Sequence, residues 1–188
     1  KKHLEQYKKR LSKKSGGNAW YEIQSTIAYY KEFDKPKIIY PDIANRTQFT
    51  MDKSNFYIND TAFMIPRHDY YLLGILNSSV NMFFFTHVTA TIRGGYYRFK
   101  TTYVKQIPIP NAPDGMRQEI ESLVQRLLDL EGKGADVPAL ESQLNQLVYQ
   151  TYGLSEDEIT LIERGLDIDT VSRAADALDA LKALEVDD

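Results

Sequence analysis

The 188-residue sequence contains no cysteine, which excludes a disulfide framework, a thiolate metal centre and a cysteine nucleophile. Histidine is scarce as well. His3, His68 and His87 stand far apart and form neither a His-x-x-x-His nor a His-x-Glu pair. No apolar run suits a membrane span, because the most hydrophobic stretch, 72–88, is interrupted by Asn77, Ser78, Ser79, Asn81 and His87. The basic opening KKHLEQYKKRLSKK has no apolar run behind it and does not read as a signal peptide. These absences predict a cytoplasmic protein with no membrane partner, and the start at Lys1 rather than at a Met predicts a piece of a longer polypeptide.

What is present is unevenly distributed. The formal net charge of −3 conceals two opposite halves. Residues 1–110 hold 17 Lys+Arg against 8 Asp+Glu, a net of +9, whereas 111–188 hold 6 against 18, a net of −12. The first part also carries 20 of the 22 aromatic residues, leaving Tyr149 and Tyr152 for the second. A basic, aromatic-rich segment is thus joined to an acidic segment rich in Leu, Ala and Glu. The length suits one domain, or a core domain with an appended helical part.

Residues 1–17 read as a basic linker helix, with Leu4, Tyr7 and Leu11 at helical spacing and Ser15-Gly16-Gly17-Asn18 ending it. After Trp20 come short β-like runs at Lys37 to Tyr40, Thr47 to Met51, Phe56 to Ile58 and Thr61 to Ile65, predicting a twisted antiparallel sheet. Asp69 to Phe85 has the length of a helix or a broken pair, kinked at Asn77-Ser78-Ser79. Gly94-Gly95 predicts a mobile loop flanked by Arg93, Tyr96, Tyr97, Arg98 and Lys100, and TTYVKQIPIP an extended segment. In the acidic part, apolar residues at helical intervals predict an antiparallel hairpin of helices, 114–131 and 138–152. Gly153 stops it, Ser155-Glu156-Asp157-Glu158 caps a short third helix, and 168–184 read as a fourth. The fold class expected is α+β: a twisted antiparallel sheet with packed helices, followed by a C-terminal helical hairpin and short helices. The expected division is 1–17 linker helix, 18–110 recognition domain, and 111–188 acidic helical segment.

The search for chemistry finds no catalytic constellation and no metal site. His68-Asp69 could form a dyad, yet no further motif supports it over a surface turn. Gly94-Gly95 lacks the Gly-Lys-Ser/Thr ending of a phosphate loop. A metal-dependent nuclease core needs Pro-Asp followed by Asp/Glu-x-Lys, so that two carboxylates hold the ion and the Lys polarises water. Pro41-Asp42 is present, but Asp52-Lys53 misses the spacing. What remains are polar and basic clusters. Asn45, Arg46, Thr47 and Gln48 stand in a row, and Arg and Gln match the hydrogen-bonding edges of guanine and adenine in the major groove. Arg93, Tyr96, Tyr97, Arg98 and Lys100 form a second group suited to phosphate or groove contact. An incidental basic face, with the acidic helices docking a partner protein or serving a specificity subunit, explains the same composition.

Several stretches, in order, carry a family likeness. Pro36-Lys-Ile-Ile-Tyr-Pro41, Phe49-Thr-Met-Asp52, Phe56-Tyr-Ile-Asn-Asp60, YYLLGILNSSVNMFFF and RGGYYRFKTTYVKQIPIP follow one another. Trp20-Tyr-Glu-Ile23 precedes them and LNQLVYQTYGLSEDEITLIE closes the set. Over roughly 18–164 the chain resembles the TaqI-like C-terminal specificity domain, the target-recognition part of DNA adenine methyltransferases, including those fused into type II restriction-modification enzymes. The resemblance implies that duplex DNA is the ligand and that an upstream methyltransferase domain of the same parent chain is the partner. That domain would bind S-adenosylmethionine, carry an Asn-Pro-Pro-Tyr motif and flip the target adenine out of the duplex. Neither that motif nor a cofactor-binding glycine loop occurs here, so this segment is expected to hold no cofactor and to be catalytically silent by itself.

Overall fold

Two small antiparallel sheets meet at Asp42. The structure is a computed structural model describing residues 2–13, 19–22, 28–92 and 94–167. Strand β1 (Lys37–Pro41) pairs with β3 (Thr50–Asp52) on one side and β4 (Ala62–Ile65) on the other, so that Ile38 lies opposite both Met51 and Ile65. One residue later the chain changes sheets. Strand β2 (Ile43–Ala44) pairs with β6 (Tyr96–Arg98), which also pairs with β5 (Thr91–Ile92). The Asp42 N–H donates to the Thr61 carbonyl at 2.9 Å and extends the first ladder; its carbonyl accepts from the Phe99 N–H at 2.7 Å and extends the second. The α+β class expected from sequence is therefore present, with two three-stranded sheets where a single one was expected.

The strand expected at 56–58 does not form. The Asp52 carboxylate accepts hydrogen bonds from the backbone N–H groups of Ser54 (2.8 Å) and Phe56 (2.9 Å), and Asn55 sits at φ 60°. Those bonds close a turn and use donors that a ladder would need. Likewise 101–104, expected to be extended, form one helical turn, α4 (Thr101–Val104), because the Lys100 carbonyl accepts from both Tyr103 and Val104. The IPIP stretch that follows is held by two hydroxyls: Tyr71 donates to the Pro110 carbonyl and Tyr152 to the Pro108 carbonyl, both at 2.7 Å. Burial pushes the Tyr152 hydroxyl up to about 12, so it stays a donor.

The basic opening is a 3-10 turn (Lys2–Tyr7) followed by the short helix α1 (Lys8–Leu11). Its expected end at Ser15 to Asn18 lies outside the described residues, as does the fourth helix expected over 168–184. The central helical stretch breaks where its Asn-Ser-Ser step predicts, into α2 (Tyr70–Asn77) and α3 (Ser79–Val88). Asp69 caps α2 by accepting from Leu72 N at 2.9 Å. Ser78 adopts an extended conformation and caps α3 through the Asn81 N–H, while the Asn81 amide donates back to the Leu76 carbonyl at the end of α2. No described helix is long and apolar enough to cross a membrane.

Helices α5 (Asp114–Asp129) and α6 (Val137–Tyr152) form the expected hairpin, ended by Gly153 at φ 67°. The capping box also forms. Ser155 N–H and hydroxyl both donate to the Glu158 carboxylate, at 2.8 and 2.9 Å, opening α7 (156–167). One hydrophobic cluster runs from Ile38 and Tyr40 through Leu73, Ile75 and Leu76 of α2 to Ile120, Val124, Leu144 and Val148 of the hairpin. Gly74 permits that approach, since a Cβ there would stand 2.9 Å from Ile120 and 3.0 Å from Val124. Leu76, Val104 and Ile107 are buried in this cluster, whereas Ile109 is exposed. It follows the helical turn on a segment whose backbone, rather than its side chain, is anchored.

Candidate nucleic-acid interface

The polar row 45–48 fills the connection between β2 and β3, where it has no sheet partner. Phe49 anchors the end of this loop: it is buried, with its ring 4.7 Å from Tyr40 and 6.2 Å from Phe99. Asn45, Arg46 and Gln48 are exposed, while Thr47 is half-buried and donates through its hydroxyl to the Asn77 carbonyl at 3.3 Å. The second cluster lies on the hairpin between β5 and β6. Its tip requires glycine, because Gly94 and Gly95 stand at φ 86° and 72°. Along β6 the side chains alternate: Tyr96 is exposed, Tyr97 is buried at 2% exposure, and Arg98 turns outward.

These two clusters, 50 residues apart in sequence, border the same groove, an open depression of about 1640 Å³. Asn45 to Gln48, Gly94 and Tyr96 line it together with Lys53, and the buried Leu73, Gly74, Met82, Val124 and Leu144 form its bottom. Its rim is electrically divided. Arg46 and Lys53 come from the basic part, and Asp129, Glu131 and Glu141 from the ends of α5 and α6 that meet across the hairpin turn. Polar and aromatic side chains of the kind that hydrogen-bond or stack with bases thus share a concave surface with carboxylates, whose charge would disfavour phosphates on one side of it.

Not every residue of the two clusters belongs to the groove. Tyr97 is a core residue, since strand alternation turns it inward when its neighbours face out. Arg98, on the same face of β6 as Tyr96 and opposite Ile43, is not part of the groove lining and pairs with Asp42 at 3.2 Å. Lys100 is exposed at the start of α4, away from the groove lining. Arg93 lies outside the described residues.

The carboxylates tested as a nuclease core have other work. Asp42 holds Arg98, and Asp52 forms a fully buried ion pair with Lys37, whose ammonium also donates to the Phe33 carbonyl at 2.9 Å. Burial opposes the Asp52 charge, but the hydrogen bonds from Lys37, Ser54 and Phe56 and the Lys37 charge outweigh it and hold the carboxyl below its ordinary 3.8. His68 contacts the Tyr70 hydroxyl at 3.1 Å, while Asp69 is committed to its cap and to Arg117. No dyad joins them. Among the described residues no group of three or more His, Asp or Glu side chains could hold a metal ion. Sequence reasoning missed Lys53 and Asn77 as groove residues, although Asn77 was visible as the helix breaker.

Among curated proteins, the type II methyltransferase M.PaeR7I of Pseudomonas aeruginosa is 28% identical over 131 residues, covering 66% of this chain and 21% of that protein. M.XhoI of Xanthomonas vasicola is 25% identical over 166 residues, covering 85% and 28%. M.BstVI of Geobacillus stearothermophilus is 27% identical over 178 residues, covering 88% and 28%. All three alignments are longer than the basic part and so extend into the acidic part, and the chain spans between 21% and 28% of the length of these relatives. Residues 1–109 match the family described as the TaqI-like C-terminal specificity domain, and with more than half its length so matched, the chain belongs to that family.

Proposed function

We propose that this domain reads the sequence of duplex DNA for a restriction-modification DNA adenine methyltransferase in the cytoplasm, and that it positions the target for a separate catalytic domain of the same polypeptide. The observation that carries the reading is the shared groove: Asn45 to Gln48 and the Gly94–Tyr96 tip come from different sheet connections and line one concave surface. Direct readout of a site several base pairs long needs such convergence, because each base pair is read by its own side-chain contact. Arg46 and Gln48 are the base-reading candidates, Lys53 and Lys100 suit phosphates, and Tyr96 offers a stacking or wedge surface. Arg98 is given a structural role through Asp42. Arg93, which flanks the hairpin tip, remains a candidate contact.

The catalytic domain would supply S-adenosylmethionine and the methyl transfer, while this segment holds no cofactor. Family membership and methyltransferase relatives support the division. The test is duplex binding by the full-length protein carrying Arg46→Ala or Gln48→Ala, across a salt series. A base-reading side chain should cost about 1–3 kcal/mol on the cognate site and relax one position, whereas a phosphate contact weakens all sequences evenly and lowers the salt slope by about one. Unchanged affinity and unchanged site choice in both variants would remove the reading. Binding that ignores salt would favour docking of a protein partner instead.

A further inference from the structure

The loop 45–49 joins two strands yet belongs to neither sheet, so something other than a ladder must fix its backbone. Asn77, the last residue of α2, supplies such a tie. Its side-chain amide donates to the Phe49 carbonyl at 2.9 Å and accepts from the Phe49 N–H at 3.0 Å, the reciprocal exchange that a neighbouring strand would otherwise provide. The same amide nitrogen reaches the Leu73 carbonyl at 3.3 Å, which ties the pairing to the helix, and the Asn77 carbonyl accepts from the Thr47 hydroxyl. On the far side of the helix break, Ser79 N–H donates to the Asn145 side chain of α6 at 2.8 Å. The loop is therefore tied to the helical part of the molecule as well as to the sheet residues that pack on Phe49.

We propose that Asn77 is a positioning residue for DNA recognition: it sets where Arg46 and Gln48 stand in the groove, and so determines how sharply one base pair is distinguished from another. The inference rests on the DNA-reading function proposed above. Phe49 is already secured by burial, so the amide is not needed to keep the ring in the core. What the amide adds is orientation of the backbone one to three residues away from two exposed, flexible side chains. Base-edge hydrogen bonds tolerate little misplacement, and a recognition constellation about 0.5–1 Å too loose loses discrimination before it loses attachment.

The test uses the full-length protein with Asn77→Ala, which removes the amide, and Thr47→Val, an isosteric change that removes only the hydroxyl tie. Each is compared with the wild type on its cognate duplex, on duplexes changed at one base pair, and on unrelated DNA, at a temperature well below unfolding. For Asn77→Ala the ratio of cognate to single-change binding should fall about tenfold, within the range of one lost bidentate base contact. Thr47→Val should lower it less, and both should lose more on the cognate duplex than on unrelated DNA. A ratio that stays at the wild-type value, or an equal loss on every duplex, overturns the proposal; should Asn77→Ala not fold, Thr47→Val decides. Arg46→Ala and Gln48→Ala, run alongside, separate the two levels. If both of these change nothing as well, the DNA-reading function itself fails, whereas an effect of either with none from Asn77 or Thr47 removes only the positioning role.

Discussion

The sheet-bearing part and the helical hairpin of this molecule are held in shape by different physics. Among the described residues between Lys37 and Pro110 no strand exceeds five residues, too few for ladders alone to fix a position. Placement there comes from side chains bonded to backbone: Asp52 to Ser54 and Phe56, Asn77 to Phe49, Tyr71 to Pro110 and Tyr152 to Pro108. In the hairpin, two helices of 16 residues bury a periodic stripe of Ile, Leu and Val, and polar bonds matter mainly at the ends. The difference would suit the proposed recognition role, in which the packed hairpin gives the groove loops a fixed reference.

The comparison is broken most severely at Lys37 and Asp52. Asp52→Asn leaves a buried ammonium without its counter-charge and should cost about 3–5 kcal/mol in urea denaturation, whereas the joint change Lys37→Met, Asp52→Leu should recover most of that. The pH dependence has a definite sign. Because the folded carboxyl is depressed, its contribution is complete above the ordinary 3.8 and is lost as pH falls through the lower folded value. The joint variant should lack that component of acid unfolding. Next in size is Gly74→Ala, which drives a methyl into Ile120 and Val124 at the contact between the two regions, for an expected loss of about 1–3 kcal/mol in the same assay. Smallest is Ser155→Ala, which removes the capping hydroxyl of α7 and should cost about 1 kcal/mol. Hydrogen exchange should show that loss confined to the residues of α7 and absent from the groove loops.

What could be read from the sequence follows the same division. The hairpin, its Gly153 stop and the Ser155–Glu158 box were legible because a helix is encoded by neighbours three and four residues apart. The α2/α3 break was legible because Ser and Asn cap locally. The ion pair was not: Lys37 looks like any surface lysine until Asp52, 15 residues on, is brought opposite it by strand pairing. The same pairing explains the missing strand at 56–58, where aromatic residues suggested a ladder but Asp52 captured the donors. Of the candidate site, the two clusters were visible by residue type, yet their meeting in one groove depends on two sheets joined at Asp42. Tyr97 and Arg98 were assigned to DNA on composition, although strand alternation and a carboxylate 56 residues away give them other partners.

The central claim is that the groove bordered by residues 45–48 and 94–96 faces DNA, and crosslinking tests it most directly. A photoreactive side chain is placed in turn at positions 48, 96 and 146 of the full-length protein bound to its cognate duplex; Gln146 lies on the exposed side of α6, outside the groove lining. Crosslinks to DNA from 48 and 96 and none from 146 are the predicted result. Crosslinking from 146 with silence at 48 and 96 would show that DNA lies on the helical side, and would contradict the account.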